Sequence, residues 1–175
     1  MPRLIITISG LTGSGKTTLG RKIGKMLGIR HIWKTHKAFS GKAKVVEFTR
    51  KASVGFERSF DRNIVGEAGK QDCVVTTWLG PWLIKEASVR VWLYADIGSR
   101  IRRKADELKV SAVMARKYVE EKDKLNKVRF KKIYGIDIDD HGGFDLLINT
   151  SRLSPGQCAN MVIFLTQEKM KKKFA

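Results

Sequence analysis

The feature that most constrains the fold is a glycine-rich stretch near the N terminus. Residues 10–18 read GLTGSGKTT and match the pattern G-x-x-x-x-G-K-[ST]. A β-branched run, residues 4–9, precedes it, and residues 18–27 have the pattern of a helix that closes at Gly28. The N-terminal segment is therefore predicted to form a strand, a loop and a helix in that order.

This loop predicts a binding site for the phosphates of a nucleotide. Glycines allow backbone N–H groups to surround a phosphate, Lys16 adds a charge at the β- and γ-phosphates, and the Thr17 hydroxyl is a candidate ligand for Mg²⁺. A glycine turn without a ligand leaves Lys16 unexplained. The loop therefore predicts a bound nucleotide with Mg²⁺. The predicted binding residues are Gly10, Gly13, Ser14, Gly15, Lys16, Thr17 and Thr18.

The rest of the chain alternates between short apolar runs and longer amphipathic stretches. Runs typical of buried strands follow the first strand at residues 29–33, 72–76, 89–94 and 144–150. Helical patterns occur at residues 45–69, as one or two helices, at 97–108, at 111–133 and from Ser154-Pro155 onward. Because parallel neighbours require crossover connections, these five strands predict an α/β fold with a parallel sheet covered on both faces.

Composition limits the class of protein. Of the 175 residues, 42% are hydrophobic, which provides one core and excludes disorder of the whole chain. No run approaches the roughly 18 apolar residues of a membrane span, and the N-terminal apolar run is too short for a signal sequence. Cys73 and Cys158 lie among apolar residues without metal-ligand spacing and are interpreted as buried, reduced thiols. We expect one domain, residues 1–175, in the cytoplasm and without a membrane partner.

The chain is strongly basic. It contains 35 Lys and Arg against 17 Asp and Glu, a formal net charge of +18. Residues 1–50 hold eleven of these cations and one acid, and the chain ends in a basic tail, residues 169–175. Because a one-sided excess is typical of proteins that contact phosphates, a polyanionic partner is expected.

Two further segments carry a resemblance to a known family. Residues 134–140, YGIDIDD, and 144–155, FDLLINTSRLSP, together with the phosphate loop, resemble archaeal cytidylate kinases, which are nucleoside monophosphate kinases of the P-loop NTPase class. The resemblance implies a five-stranded parallel sheet flanked by helices. It also implies a monophosphate-binding arm at about residues 33–70, a lid in helices at about residues 110–133, and phosphoryl transfer from ATP to CMP. The cofactors that the resemblance implies are ATP, or another purine nucleoside triphosphate, and Mg²⁺.

The chain departs from the family pattern where relatives hold the acceptor nucleotide. Of a family segment like Ser-x-Gly-x-x-Phe-Arg after the second strand, only Phe39 is present here. The third strand of the family ends in an acid, a glycine and an arginine, whereas residues 76–78 are Thr, Thr and Trp. Trp78 either packs in the core or fills the acceptor pocket. Because positioned cations stabilise the transition state, these losses predict weaker phosphoryl transfer.

Several cations remain at positions that match the family. Its lid has an Arg-Glu pair and, seven residues after that arginine, a second arginine; this chain has Lys122-Asp123 and Arg129. Arg100 and Arg103 match arginines that face ATP in relatives. The candidate catalytic residues are Lys16, Lys122 and Arg129. The candidates for contact with an acceptor nucleotide or RNA are Lys34, Lys37 and Arg62.

Two functions of different classes follow. The favoured one is an RNA-bound protein, ribosomal or ribosome-associated, that contacts rRNA and ribosomal proteins, keeps nucleotide binding and has weak or no kinase activity. It depends on the charge of +18, the basic tail and the aromatic residues among the cations of residues 31–39. The alternative is an active CMP kinase that uses Lys34, Lys37 and Arg62 instead of the usual arginines.

Overall fold

The computed structural model describes residues 3–34 and 45–174, which contain five strands and seven helices. The strands are β1 Ile5–Gly10, β2 Arg30–Ile32, β3 Cys73–Thr76, β4 Val89–Tyr94 and β5 Leu146–Asn149. The helices are α1 Lys16–Leu27, α2 Val45–Lys51, α3 Val54–Ala68, α4 Gly80–Leu83, α5 Ile97–Leu108, α6 Ala112–Tyr134 and α7 Pro155–Phe174. Within the described residues, no helix is both long enough and apolar enough to cross a membrane.

The five strands form one sheet in the order β2-β3-β1-β4-β5, and all neighbouring strands are parallel. Ile6 of the central strand β1 is paired with Val74 of β3 and Val89 of β4. All residues of β1 are buried, as expected for the centre of a sheet that is covered on both faces. The predicted five-stranded parallel sheet is confirmed.

Helix boundaries follow local capping. Residues 45–69 form two helices, α2 and α3, because the Ser53 hydroxyl accepts a hydrogen bond from the Phe56 N–H and starts a new helix. The start of α7 agrees with prediction, since the Ser154 hydroxyl accepts from the Gln157 N–H. The sequence does not indicate α4, a single turn that follows the third strand.

Two apolar clusters lie on opposite faces of the sheet. Ile6 and Ile8 of β1 pack with residues of α1 and α7, whereas Ile5 packs with residues of α3. This division follows from the alternation of side chains along a strand. The two cysteines, Cys73 and Cys158, are buried in these clusters as free thiols, in agreement with the prediction.

The phosphate loop, residues 10–18, lies at the carboxyl edge of the sheet. β1 ends at Gly10, whose φ is 147°, and a Cβ there would overlap the Leu93 carbonyl oxygen of β4. Only glycine permits this close approach. The loop thus leaves the central strand between the ends of β3 and β4, at the edge where open parallel sheets bind their ligands.

Gly20 allows α1 to lie close to the sheet. A Cβ at this position would overlap Thr76 Cγ2 and would lie 2.6 Å from His31 Nε2. We expect Gly20→Ala to lower the free energy of unfolding, measured in urea, by about 1–3 kcal/mol, because overpacking outweighs the better helix propensity of alanine.

Gly66 of α3 provides the matched control. A Cβ there would have no heavy atom of the described residues within 4 Å. Gly66→Ala is therefore expected to raise the free energy of unfolding by up to about 1 kcal/mol. If both alanines stabilised the protein equally, the close contact between α1 and the sheet would be contradicted.

Candidate nucleotide-binding site

The phosphate loop has the backbone shape that an anion requires. Gly10, Gly13 and Gly15 have positive φ angles of 147°, 81° and 96°, which curl the chain before α1. α1 begins at Lys16, and no side chain caps its N terminus. Because the first N–H groups of a helix have no acceptor within the helix, they are available to a phosphate.

Gly13 is closely packed against its neighbours, whereas Gly15 has open space beside it. A Cβ on Gly13 would lie 2.8 Å from the Arg100 carbonyl oxygen, so α5 packs tightly against this part of the loop. A Cβ on Gly15 would meet no heavy atom of the described chain within 4 Å. The space beside Gly15 is therefore open, which fits a phosphate group.

The Lys16 side chain folds over its own loop. Its Nζ donates hydrogen bonds to the Gly10 carbonyl oxygen at 2.5 Å and to the Leu11 carbonyl oxygen at 2.9 Å. The same Nζ lies 5.0 Å from the centroid of the Trp78 ring, within range of a cation–π interaction. The ammonium is thus held at the loop by backbone carbonyls and one aromatic face.

Burial governs the charge of Lys16. Removal of the ammonium from water lowers the pKa of Lys16 from 10.5 to about 7. The Asp123 carboxylate opposes this shift, and three nearby cations reinforce it: Lys122, Lys104 and Arg100. An adjacent anion such as a phosphate would therefore stabilise the protonated form of Lys16 near neutral pH.

The hydroxyl groups of the loop fit a phosphate-bound metal ion. Thr17 and Thr18 lie in the first turn of α1, where Thr17 is partly buried and Thr18 is exposed, and the buried Ser14 hydroxyl has no partner among the described residues. Mg²⁺ in such sites is held mainly by phosphates and water with one or two protein oxygens. The Thr17 and Ser14 hydroxyls therefore fit Mg²⁺ that is held mainly by the phosphates of a nucleotide. The described residues include no cluster of His, Cys, Asp or Glu that could hold a metal ion.

Two helices hold the loop at Thr12. The Asp123 carboxylate of α6 accepts a hydrogen bond from the Thr12 N–H at 3.0 Å. Arg100 of α5 donates to the other Asp123 oxygen at 2.5 Å and to the Thr12 carbonyl oxygen at 3.3 Å. Side chains from α5 and α6 therefore bind both polar groups of the Thr12 backbone.

Arg103 and Thr150 support the next residues of the loop. Arg103 donates to the Gly13 carbonyl oxygen at 3.2 Å and to the Thr150 carbonyl oxygen at 2.6 Å. The Thr150 hydroxyl, which follows β5, donates to the Ser14 carbonyl oxygen at 2.9 Å. Arg100 and Arg103 thus bind carbonyls of the loop, and their contacts with ATP stay a prediction.

Of the three candidate catalytic residues, Lys16 and Lys122 are associated with the phosphate loop, and Arg129 contacts α3. Lys122 is close enough to Lys16 for its charge to lower the pKa of Lys16. Arg129 donates instead to the Glu57 carboxylate at 2.8 Å and to the Ala52 carbonyl oxygen at 3.0 Å. In this structure Arg129 therefore ties α6 to α3, and its catalytic role stays a prediction.

The candidate acceptor residues lie on different elements. Lys34, after β2, forms an ion pair with Glu67 of α3 at 2.5 Å, and Arg30 binds the other oxygen of the same carboxylate. Arg62 of α3 is exposed and lines a surface cavity. Lys37 lies outside the described residues.

At the end of the third strand, the family pattern has an acid and an arginine, whereas this chain has uncharged residues that pack against their neighbours. Thr76 Oγ1 is hydrogen-bonded to His31 Nε2 at 2.8 Å, and burial lowers the pKa of His31 to about 4. The Trp78 ring lies 5.9 Å from that of Phe130 on α6 and also contacts Lys16. Trp78 is therefore a packing residue that connects the phosphate loop to α6.

Three side chains that organise the site are absent from the set predicted by sequence: Glu57, Asp123 and Thr150. Their partners Arg129, Thr12 and Ser14 are 72, 111 and 136 residues away along the chain. The sequence offers one signal, the place of Asp123 beside Lys122 in the family's lid pattern.

Comparison with known proteins assigns the chain to a family. A profile described as the cytidylate kinase-like family matches residues 36–152. The chain belongs to this family. The cytidylate kinase of Pyrococcus horikoshii is 36% identical over 160 residues, which cover 87% of this chain and 83% of the relative. The cytidylate kinase of Pyrobaculum aerophilum is 31% identical over 98% of this chain and 97% of its own length.

Solved structures show the same fold. An uncharacterized protein from Eubacterium ventriosum has a TM-score of 0.71 at 16% identity and covers 95% of this chain and 99% of its own. A shikimate kinase from Acinetobacter baumannii has a TM-score of 0.62 at 19% identity, and the match covers 95% of this chain and 94% of the shikimate kinase. These matches confirm the expected fold of P-loop kinases.

The prediction of an RNA-bound, ribosomal protein with weak or no kinase activity is wrong. Relatives that are 31–36% identical over most of the chain are named cytidylate kinases. A net positive charge indicates an anionic partner but does not distinguish RNA from a nucleotide. In the structure, three cations act on Lys16 at the phosphate loop: Arg100, Lys104 and Lys122.

Proposed function

We propose that the protein transfers the γ-phosphoryl group of ATP to CMP and produces ADP and CDP, with Mg²⁺ as cofactor. One observation carries the proposal: a phosphate loop with Lys16 folded over it, in a chain that shares 31–36% identity with cytidylate kinases. Phosphoryl transfer depends mainly on positioning and on charge stabilisation. The carboxyl edge of this sheet provides groups for both.

The phosphate loop is proposed to bind the triphosphate of ATP. The N–H groups at the start of α1 surround a phosphate, and Lys16 exchanges the Gly10 and Leu11 carbonyls for oxygens of the β- and γ-phosphates. Thr17 is the proposed ligand of Mg²⁺, which supplies charge neutralisation for the transferred group when bound. Contact with the phosphates raises the pKa of Lys16, because a neighbouring anion favours the ammonium form.

The acceptor is proposed to bind between two parts of a single domain, residues 1–175. We assign the CMP-binding arm to residues 33–70 and the lid to residues 110–133, and residues 169–175 form a basic tail. Contacts already join the two parts, since Arg129 donates to the Glu57 carboxylate at 2.8 Å. Closure of the arm on the lid would exclude water from the transferred group.

A cavity beside α3 supports an acceptor role for Arg62. It measures about 310 Å³. It is lined by Arg58, Asp61, Arg62, Val65, Leu83 and Tyr134. Two guanidinium groups provide donors for a phosphate, and a carboxylate provides an acceptor for an amino group. Lys34 and Lys37 are the other proposed contacts of the acceptor, as replacements for the arginines of relatives.

The proposed lid contributes two cations to the reaction. The charge of Lys122 lowers the pKa of Lys16. Arg129 is bound to Glu57 in this structure and must exchange that partner for a phosphate oxygen before it can act on the transferred group. We propose that Lys122 acts in the closed complex, with Arg129 as a second candidate.

CMP is expected to be the preferred acceptor in an assay that couples ADP formation to NADH oxidation. With ATP and Mg²⁺, turnover with CMP should reach at least about 1 s⁻¹, the low end for kinases. AMP and a reaction without acceptor serve as controls and should be much slower, because AMP carries the same phosphate on a larger purine base and the second reaction has no acceptor phosphate. Equal rates in all three reactions would identify an ATPase and contradict the proposal.

A further inference from the structure

Asp123 of α6 contacts the phosphate loop through its carboxylate. One oxygen accepts from the Thr12 N–H at 3.0 Å, and the other accepts from Arg100 at 2.5 Å. Arg100 also donates to the Thr12 carbonyl oxygen. The loop, α5 and α6 therefore meet at one carboxylate, whose charge strengthens both hydrogen bonds that it accepts.

This contact is shielded from solvent. The Arg100 and Asp123 side chains are 11% and 16% exposed, whereas the Arg116–Glu120 pair on α6 has both side chains 56% exposed. Partly buried charges are screened by salt much less than exposed ones. The Arg100 guanidinium donates hydrogen bonds to Asp123 and to the Thr12 carbonyl oxygen. Its buried Nε has no partner among the described residues.

We propose that Asp123 is a positioning residue for phosphoryl transfer: it fastens α6 to the phosphate loop and keeps Arg100 and the Thr12 backbone in place for the bound triphosphate. Its role in turnover rests on the proposed function. Its effect on ATP binding needs no acceptor and is measured separately. A carboxylate that only docked α6 would contribute to stability but would not affect turnover or ATP affinity in the folded protein.

The first measurement compares Asp123→Asn, which removes the charge with little change in shape, with Glu120→Gln on the same helix. At saturating ATP and CMP, we expect kcat of Asp123→Asn to fall on the order of 10²-fold, the effect of misplacing reacting groups by about 1 Å. Asp123→Glu should recover part of the loss. Glu120→Gln should stay within about twofold of the wild type, because its ion pair is exposed.

The second measurement is ATP affinity, determined by calorimetry with Mg²⁺ and without CMP, at a temperature where each variant is folded. Asp123→Asn should bind ATP about tenfold more weakly than the wild type, because the carboxylate that fixes Thr12 and Arg100 loses its charge. Glu120→Gln should bind ATP as the wild type does.

The outcomes separate the two proposals. If wild type phosphorylates CMP but Asp123→Asn keeps its kcat and its ATP affinity, the positioning role is overturned and the kinase function stands. If wild type does not phosphorylate CMP, the kinase function is overturned, and ATP affinity alone decides for or against Asp123. A lower melting temperature with kcat and ATP affinity unchanged would identify a docking contact only and would also overturn the positioning role.

Discussion

Lys16→Ala is expected to lower kcat for CMP phosphorylation on the order of 10²–10³-fold, the usual effect of removing one preorganised donor from a transition-state charge. The coupled assay at saturating ATP and CMP measures this loss. The melting temperature should not fall, because burial of the ammonium opposes its charged form and alanine removes that cost. Lys16→Ala should therefore lower kcat without lowering the melting temperature.

Lys25→Ala is the matched control, since Lys25 is an exposed lysine in the last turn of the same helix. Its kcat should stay within about twofold of wild type, as for most surface substitutions. A Lys16→Ala protein that retained more than about a tenth of wild-type kcat would show that another cation serves the phosphates.

Arg129→Met is expected to lower the free energy of unfolding by about 3 kcal/mol, as for removal of one partner from a buried ion pair. The Arg129 and Glu57 side chains are 15% and 4% exposed, and their nitrogen and oxygen lie 2.8 Å apart. Methionine preserves much of the apolar stem but leaves the carboxylate without this cation. Urea unfolding at neutral pH, followed by circular dichroism, measures the loss.

Arg116→Met on the same helix is the control for burial. Its partner Glu120 is 56% exposed, so the free energy of unfolding should change by only about 0–1 kcal/mol. Equal losses in the two variants would contradict a special contribution from the Arg129–Glu57 pair. Turnover of Arg129→Met at a temperature where it remains folded separately tests the catalytic role predicted for Arg129.

The sheet and the phosphate loop could be predicted because their signals are local. The apolar runs of β1 and β3 mark buried strands, and the glycine spacing of residues 10–18 marks the loop between β1 and α1. The contacts around the loop depend on packing between distant elements. Asp123 meets Thr12 across 111 residues, and the lid pattern that contains Asp123 does not indicate which residue it contacts.

The partners of charged side chains also could not be predicted from the sequence. Lys34 is a suitable acceptor contact by sequence, but its partner in the structure is Glu67 of α3. The formal charge of +18 likewise counts cations without stating what they face. It supported RNA as the partner, whereas the family relation and the cations beside Lys16 support a nucleotide.

The most direct measurement is ³¹P NMR of the purified protein with CMP, ATP and Mg²⁺. A cytidylate kinase converts these substrates to CDP and ADP, so the two products should appear in equal amounts as CMP and ATP decline together. Lys16→Ala in the same experiment should leave both substrates largely intact. Formation of ADP and inorganic phosphate with CMP unchanged would contradict the proposed function.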